Sequence, residues 1–314
     1  LIGSSLFAAK VTKRFFPDET TVVEACGRLI DFRAWDPMKI DPRGWLNNFS
    51  ESERGFALIL LSRFTFLSEH LVDQLFRSAF HCLSNMTTDT WETFDTAQAG
   101  WRRFCNEAIV TIVQGERPNP SDSGWLFARK ARQTIGLSEE QLFEPAEVAL
   151  KLSQGFSGPV VFVDDFVGSG EQFLKTWERQ YPISGTTTSF ENESMSSSSQ
   201  FYYCNAMTTE YGQNRIRDRV PKLKISAGNI IPARYSLVHP NSLLWPEAIR
   251  PEGIRFVEEV GRRLGFNADD GGENDWRGFH KLGLALAFQH SVPDANLPLF
   301  FTNNGGWTPL VRRL

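Results

Sequence analysis

The stretch that most constrains this chain is Pro159-Val160-Val161-Phe162-Val163-Asp164-Asp165-Phe166-Val167-Gly168-Ser169-Gly170. Four consecutive apolar residues, three of them Val, predict a short strand buried on both faces, the habit of a parallel sheet. Two carboxylates then stand where that strand is expected to end, and a Gly-Ser-Gly turn follows. Glu171 to Tyr181 carries Phe173, Leu174 and Trp177 on helical spacing, so a helix is expected next. This layout suits a phosphorylated sugar. The first N–H groups of a helix have no intrahelical partner and favour an anion at the preceding turn. Gly168 and Gly170 allow the backbone to close round a phosphate, and Ser169 adds a hydroxyl donor. Asp164 and Asp165 can accept hydrogen bonds from vicinal ribose hydroxyls or share a divalent cation. The same layout also serves doubly wound proteins that bind other ligands, or none, at the carboxyl edge of their sheet.

On these residues the chain resembles the type I phosphoribosyltransferases, whose motif is an apolar strand, an acid pair, two apolar residues, a variable position, Ser or Thr, Gly and a helix. The resemblance implies that Asp164 and Asp165 contact the ribose as the catalytic acids, with Mg²⁺ held near the same pair. It implies that Gly168, Ser169, Gly170, Glu171 and Gln172 cradle the 5-phosphate. It also implies that the loop after the preceding strand, Ser121, Asp122, Ser123 and Gly124, receives the pyrophosphate, with Arg117 or Arg129 supplying charge. Gly168 and Gln172 depart from the residues many members carry, and Glu171 brings a negative charge beside the expected phosphate.

A length of 314 residues exceeds the usual single domain, and 41% hydrophobic with 22% charged residues is ample for a buried core. Thirty-three basic against 37 acidic residues, a net charge of −4, argues against sequence-independent nucleic-acid binding by the whole surface. Cys26, Cys82, Cys105 and Cys204 are scattered without a C-x-x-C pair, so four reduced thiols are expected rather than a metal site or disulfide framework. No apolar run reaches the roughly 18 residues that span a bilayer, and Leu1 to Arg14 is not expected to be a signal peptide, lacking a basic-then-apolar pattern. A cytoplasmic protein without a membrane partner is expected.

The pattern divides the chain into an N-terminal helical module, 1–108, and an α/β domain, 109–314. Ser50 and Glu53 form a capping box before Phe56, Ile59, Leu60 and Phe64. Ser68 can cap a second helix with an apolar face from Leu71 to Leu83, and a third is expected over Trp91–Ala108. The second helix exposes Glu69, His70, Asp73, Gln74, Arg77 and Ser78, which is not a basic reading head for a DNA groove. Strands are expected at 109–114, 160–163, 201–207, 222–231 and 282–288, alternating with helices as in an α/β sheet. If the last lies parallel to the others, His290 and Asp294 reach the ligand edge. The Ser/Thr-rich stretch 182–200 is expected to be a flexible loop, a candidate lid. Arg215, Arg217, Arg219, Lys222 and Lys224 make a basic cluster, read as a solvated face or as a contact for an acidic partner or RNA.

Over its whole length the chain resembles the phosphoribosyltransferase-like proteins of bacterial conflict systems. The outer blocks of that resemblance are Trp45–Phe49, His290–Pro298 and Gly306–Leu310. It implies a helical, winged-helix-like module joined to a phosphoribosyltransferase fold, working in bacterial antiviral defence beside protein partners. The leading expectation is a protein that binds phosphoribosyl diphosphate or a related nucleotide and, if active, transfers the pentosyl group. Two alternatives stand: an inactive nucleotide- or phosphate-sensing subunit that regulates a partner effector, and a nucleic-acid-binding protein.

Overall fold

A computed structural model describes residues 15–87, 93–115, 123–183 and 185–313. The chain forms two compact units, the first from 1–69 together with 232–314, the second from 70–231. The helices expected to make one N-terminal module are therefore shared between the two. No described helix is long and apolar enough to cross a membrane.

In the first unit, α1 (Glu19–Asp31) starts where the Asp18 carboxylate accepts the Thr21 N–H at 2.8 Å. α2 (Pro42–Leu46) has Pro in its first turn, and Asp41 accepts from the Gly44 N–H. α3 (Glu51–Arg63) opens with Glu53 accepting from both the backbone N–H and the hydroxyl of Ser50, the reciprocal cap read from the sequence. The core gathers round Trp45, which is wholly buried, stacks on Phe300 and meets Phe49 edge-on. Its indole N–H and that of Trp307 both donate to the Leu299 carbonyl at 2.9 Å.

β1 (Thr65–Leu67) pairs in parallel with the strand Leu286–Phe288, making a separate two-stranded sheet. The run at 282–288 is thus partly a strand, but it belongs to the first unit and does not extend the main sheet. An apolar run says that a segment is buried; it does not say against what. His290 and Asp294 accordingly stay with the first unit, where Asp294 pairs with Arg313 and His290 packs against Phe288.

The second unit holds α4 (Glu69–Cys82, from His70 onward), α5 (Phe94–Glu107), β2 (Ile109–Ile112), α6 (Ser123–Lys130), α7 (Pro145–Ser153), β3 (Val160–Val167), α8 (Glu171–Glu178), β4 (Tyr181–Ile183), β5 (Thr186–Thr188), α9 (Phe190–Ser196), β6 (Phe201–Thr209), α10 (Glu210–Arg219) and β7 (Lys224–Ile231). Its four-stranded sheet runs β2-β3-β6-β7, every pair parallel. All of β6 is buried, as a central parallel strand covered on both faces requires.

Adjacent tyrosines on β6 show the two faces. Tyr203 stacks on Phe173 of α8, with centroids 4.6 Å apart, beside Phe162 and Trp177. Tyr202 meets Phe104 of α5 edge-on at 5.0 Å, and Phe80 of α4 packs on the same ring cluster. α4 lies so close to β7 that the Ser226 hydroxyl donates to the Ala79 carbonyl at 2.7 Å. Helices read from the sequence as a module of their own thus cover one side of the sheet.

The stretch 182–200 differs from its expectation as a flexible loop. Its described residues form the β4–β5 hairpin and α9, anchored by Phe190, which is wholly buried against Phe162 and Trp177. Its hydroxyls are structural. Ser189 caps α9, Thr188 donates to the buried Glu193 at 2.6 Å, and Ser197 and Ser199 donate to the Phe156 carbonyl. A Ser-rich composition that suggests disorder here supplies caps and ties.

Candidate functional site

The acid pair lies inside β3, which continues beyond it to Val167, rather than at the strand's end. Asp164 is level with Asn205 on β6, and the ladder resumes with Phe166 opposite Met207 and Val167 opposite Thr208. Asp164 is 3% exposed and Asp165 6%. Both oxygens of Asp164 have donors: the Tyr203 hydroxyl reaches Oδ2 at 2.9 Å, and the Asp165 N–H reaches Oδ1 at 2.9 Å. Burial holds the Asp164 carboxyl well above the usual aspartate range. The Asp165 charge and a hydrogen bond between the two carboxyls push the same way, against the smaller downward pull of Tyr203. Burial, then Asp164, raises the Tyr203 phenol in turn. Two adjacent carboxyls in so dry a place tend to share one proton.

Beyond Val167 the chain bends through Gly168, Ser169 and Gly170 into α8. Gly170 sits at φ +75°, and a Cβ there would lie 2.7 Å from Ile216 Cγ1, so both conformation and packing demand glycine. The bend is pressed on the first turn of α10. A Cβ on Gly212 would stand 2.4 Å from the Gly168 carbonyl oxygen. Thr209, which caps α10, donates its hydroxyl to that same carbonyl and accepts the Gly212 N–H at 2.9 Å. Ser169 Oγ accepts the Glu171 N–H at 3.3 Å, which leaves the hydroxyl proton available to an anion.

Glu171, the unwelcome charge of the sequence, is met by two cations. Lys175 pairs with it at 2.8 Å and Arg215 at 3.6 Å, and Arg215 also donates to the Ser169 carbonyl at 3.2 Å. Arg215 was grouped by sequence with a solvated basic face, and its place at the bend is a finding of the structure. Within that cluster Arg219 pairs with Glu178 and Glu191, while Lys224 donates to the Met86 carbonyl and lies over the Tyr202 ring. Much of the cluster's charge is therefore used internally.

Of the residues expected to receive pyrophosphate, Ser121 and Asp122 lie outside the described residues, as do Arg117 and the side chain of Ser123. Gly124, in the first turn of α6, packs so closely on β2 that a Cβ would fall 2.9 Å from both Ile112 Cβ and the Val113 carbonyl. Ile112 is the register partner of Val163, so α6 begins beside the level of the acid pair. The loop after β2 is tied to α8. Gln114 exchanges backbone hydrogen bonds with the Thr176 hydroxyl, and Arg179 donates to Gln114 Oε1 and the Gly115 carbonyl, both at 2.8 Å. The elements expected to face the two ends of a phosphorylated ribose are thus laced together.

Among the described residues, no group of three or more His, Cys, Asp or Glu is placed to hold a metal ion. Asp164, with both oxygens engaged and its proton favoured by burial, is a poor direct ligand, so these residues do not build a resident Mg²⁺ site on their own. A cavity of about 850 Å³ in the first unit is the other candidate. There Glu273 and Asp294 offset Arg312 and Arg313, and Arg313 is already engaged by Asp294 and the Phe301 ring.

Solved structures similar to this chain include the AQ2163 protein from Aquifex aeolicus, at 13% identity and TM-score 0.30, covering 63% of this chain and 86% of that one. Another is the orotate phosphoribosyltransferase from Aeropyrum pernix, at 14% identity and TM-score 0.24, covering 48% of this chain and 70% of that one. No curated protein matches. The model of the PRTase-CE family matches residues 42–313, a span that includes both halves of the first unit from α2 onward and the whole of the second. With a parallel α/β sheet carrying the acid-pair motif on a central strand, the fold is type I phosphoribosyltransferase-like, and the chain belongs to the PRTase-CE family.

Proposed function

We propose that this protein binds phosphoribosyl diphosphate, or a related phosphorylated ribose, at the carboxyl half of β3. The observation that carries the reading is the buried Asp164–Asp165 pair followed directly by a bend in which conformation and packing demand glycine at 170 and the acidic Glu171 is neutralised by Lys175 and Arg215. The backbone from Gly168 to Gln172 would take the 5-phosphate, with the Ser169 hydroxyl donating to it. Asp164 and Asp165 would accept hydrogen bonds from the vicinal ribose hydroxyls. In transfer, the C1–O bond to pyrophosphate breaks with its electron pair leaving on oxygen, and the nitrogen of an acceptor forms the new bond to C1. The chain's contribution is positioning, together with negative potential near the cationic ribose.

A sensing role without turnover is the second reading. The engagement of both Asp164 oxygens favours it, since a group so held orients a ligand more readily than it exchanges protons. Work beside protein partners in bacterial antiviral defence is proposed on the sequence resemblance.

Calorimetric titration of phosphoribosyl diphosphate into the wild type and Asp165→Ala tests the site. Affinity is expected to fall on the order of a hundredfold in the variant, the usual cost of one preorganised charged contact. Equal affinity would overturn the assignment. Pyrophosphate release in a screen of bases and nucleotides then separates enzyme from sensor.

A further inference from the structure

Asn205 is wholly buried on β6, yet neither its Nδ2 nor its Oδ1 meets a hydrogen-bond partner among the described residues. The one other such buried side-chain atom is the Thr111 hydroxyl oxygen. A carboxamide offers two donors and an acceptor, and leaving all of them idle in the interior is among the more costly things a core can contain. Leu or Val at this place in an all-buried strand would avoid the cost. The position is not arbitrary: Asn205 is the register partner of Asp164. Paired residues of parallel strands project to the same face, and Tyr203, two residues earlier on β6, confirms that face by reaching Asp164 Oδ2 with its hydroxyl.

We propose that Asn205 is a positioning residue for the acid pair, holding hydrogen-bonding capacity in reserve for Asp164. When a ribose hydroxyl engages the pair, Asp164 turns an oxygen towards the ligand and gives up part of its bonding to Tyr203 or to the Asp165 N–H. The Asn205 Nδ2–H then donates to the remaining Asp164 oxygen and keeps the carboxyl in its bound orientation. The interior cost carried by the free protein is recovered in the complex, which is how a fold can retain stability-lowering polar groups at a site. This inference rests on the ribose reading above and adds to it a residue on the neighbouring strand.

A double-mutant cycle on the full chain tests it: wild type, Asn205→Leu, Asp164→Asn and the double variant, each followed by thermal midpoint and by titration with phosphoribosyl diphosphate. Asn205→Leu is expected to raise the midpoint by a few degrees while weakening binding about tenfold, the effect of one lost buried hydrogen bond. The double variant should bind no more weakly than Asp164→Asn alone, because Asn205 acts through Asp164. Unchanged affinity in Asn205→Leu, additive losses in the double variant, or a lowered midpoint would each overturn the proposal. Asn205→Val, smaller and β-branched, serves as the second variant should leucine overpack the strand. A wild type that binds no phosphoribosyl diphosphate would sink the ribose reading itself, whereas normal wild-type binding with an indifferent Asn205→Leu removes this inference alone.

Discussion

Asp164 links the stability of this fold to pH. Its carboxyl is raised in the folded protein, first by burial and then by Asp165, above the ordinary aspartate value of 3.8. A carboxyl raised on folding favours the folded state while it is protonated. Its contribution is complete below the ordinary value and is lost as pH climbs through the raised one. Urea midpoints measured from pH 4 upward should therefore decline for the wild type over that window. In Asp164→Asn the decline should be shallower and stability near pH 7 higher; parallel profiles would show that Asp164 is not held up by burial. Single residues also mark the limits of pattern reading. The acid pair and Gly170 were legible because their chemistry is local: an apolar run, a charge, a bend. Arg215 and Asn205 were not, because a cation on a helix and an amide in an apolar strand declare themselves only when a neighbouring strand or bend supplies the context.

The bend between β3 and α8 is shaped by α10 as well as by its own Gly170. Gly212 is as necessary as Gly170, since its missing Cβ lets the Gly168 carbonyl approach. Gly212→Ala should push the bend off α10, costing about 1–3 kcal/mol of stability, the usual range for overpacking. Affinity for phosphoribosyl diphosphate should fall more than tenfold in the same variant. Retention of both wild-type stability and wild-type affinity would mean the bend yields without consequence. Helix starts and central strands were readable from capping residues and continuous apolar runs, as at Ser50 and along β6. The hairpin and α9 were not, because Phe190 outweighs the serines around it and no composition rule weighs a single anchor.

For the molecule as a whole, the sequence pattern suggested a boundary near residue 108, whereas the compact units are 1–69 with 232–314 and 70–231. Periodicity locates helices but carries no information on which distant segment fills their apolar faces. Trp45 shows the point, since its hydrogen-bond acceptor, Leu299, and its stacking partner, Phe300, lie in the last part of the chain. A fragment ending at Ile231 should accordingly lose hydrogen-exchange protection across α3 while keeping it across β3. Protected α3 amides in that fragment would show that the first unit does not need its C-terminal half.

This division imposes an order on synthesis. Residues up to 69 leave the ribosome carrying the indole of Trp45 and the apolar side of α3, and the distant segments that cover them begin only at Pro232. At elongation rates of about 5–20 residues per second, the wait is on the order of ten to thirty seconds. The unit 70–231 can complete itself meanwhile, and the other must remain open until residues 232–314 have been made.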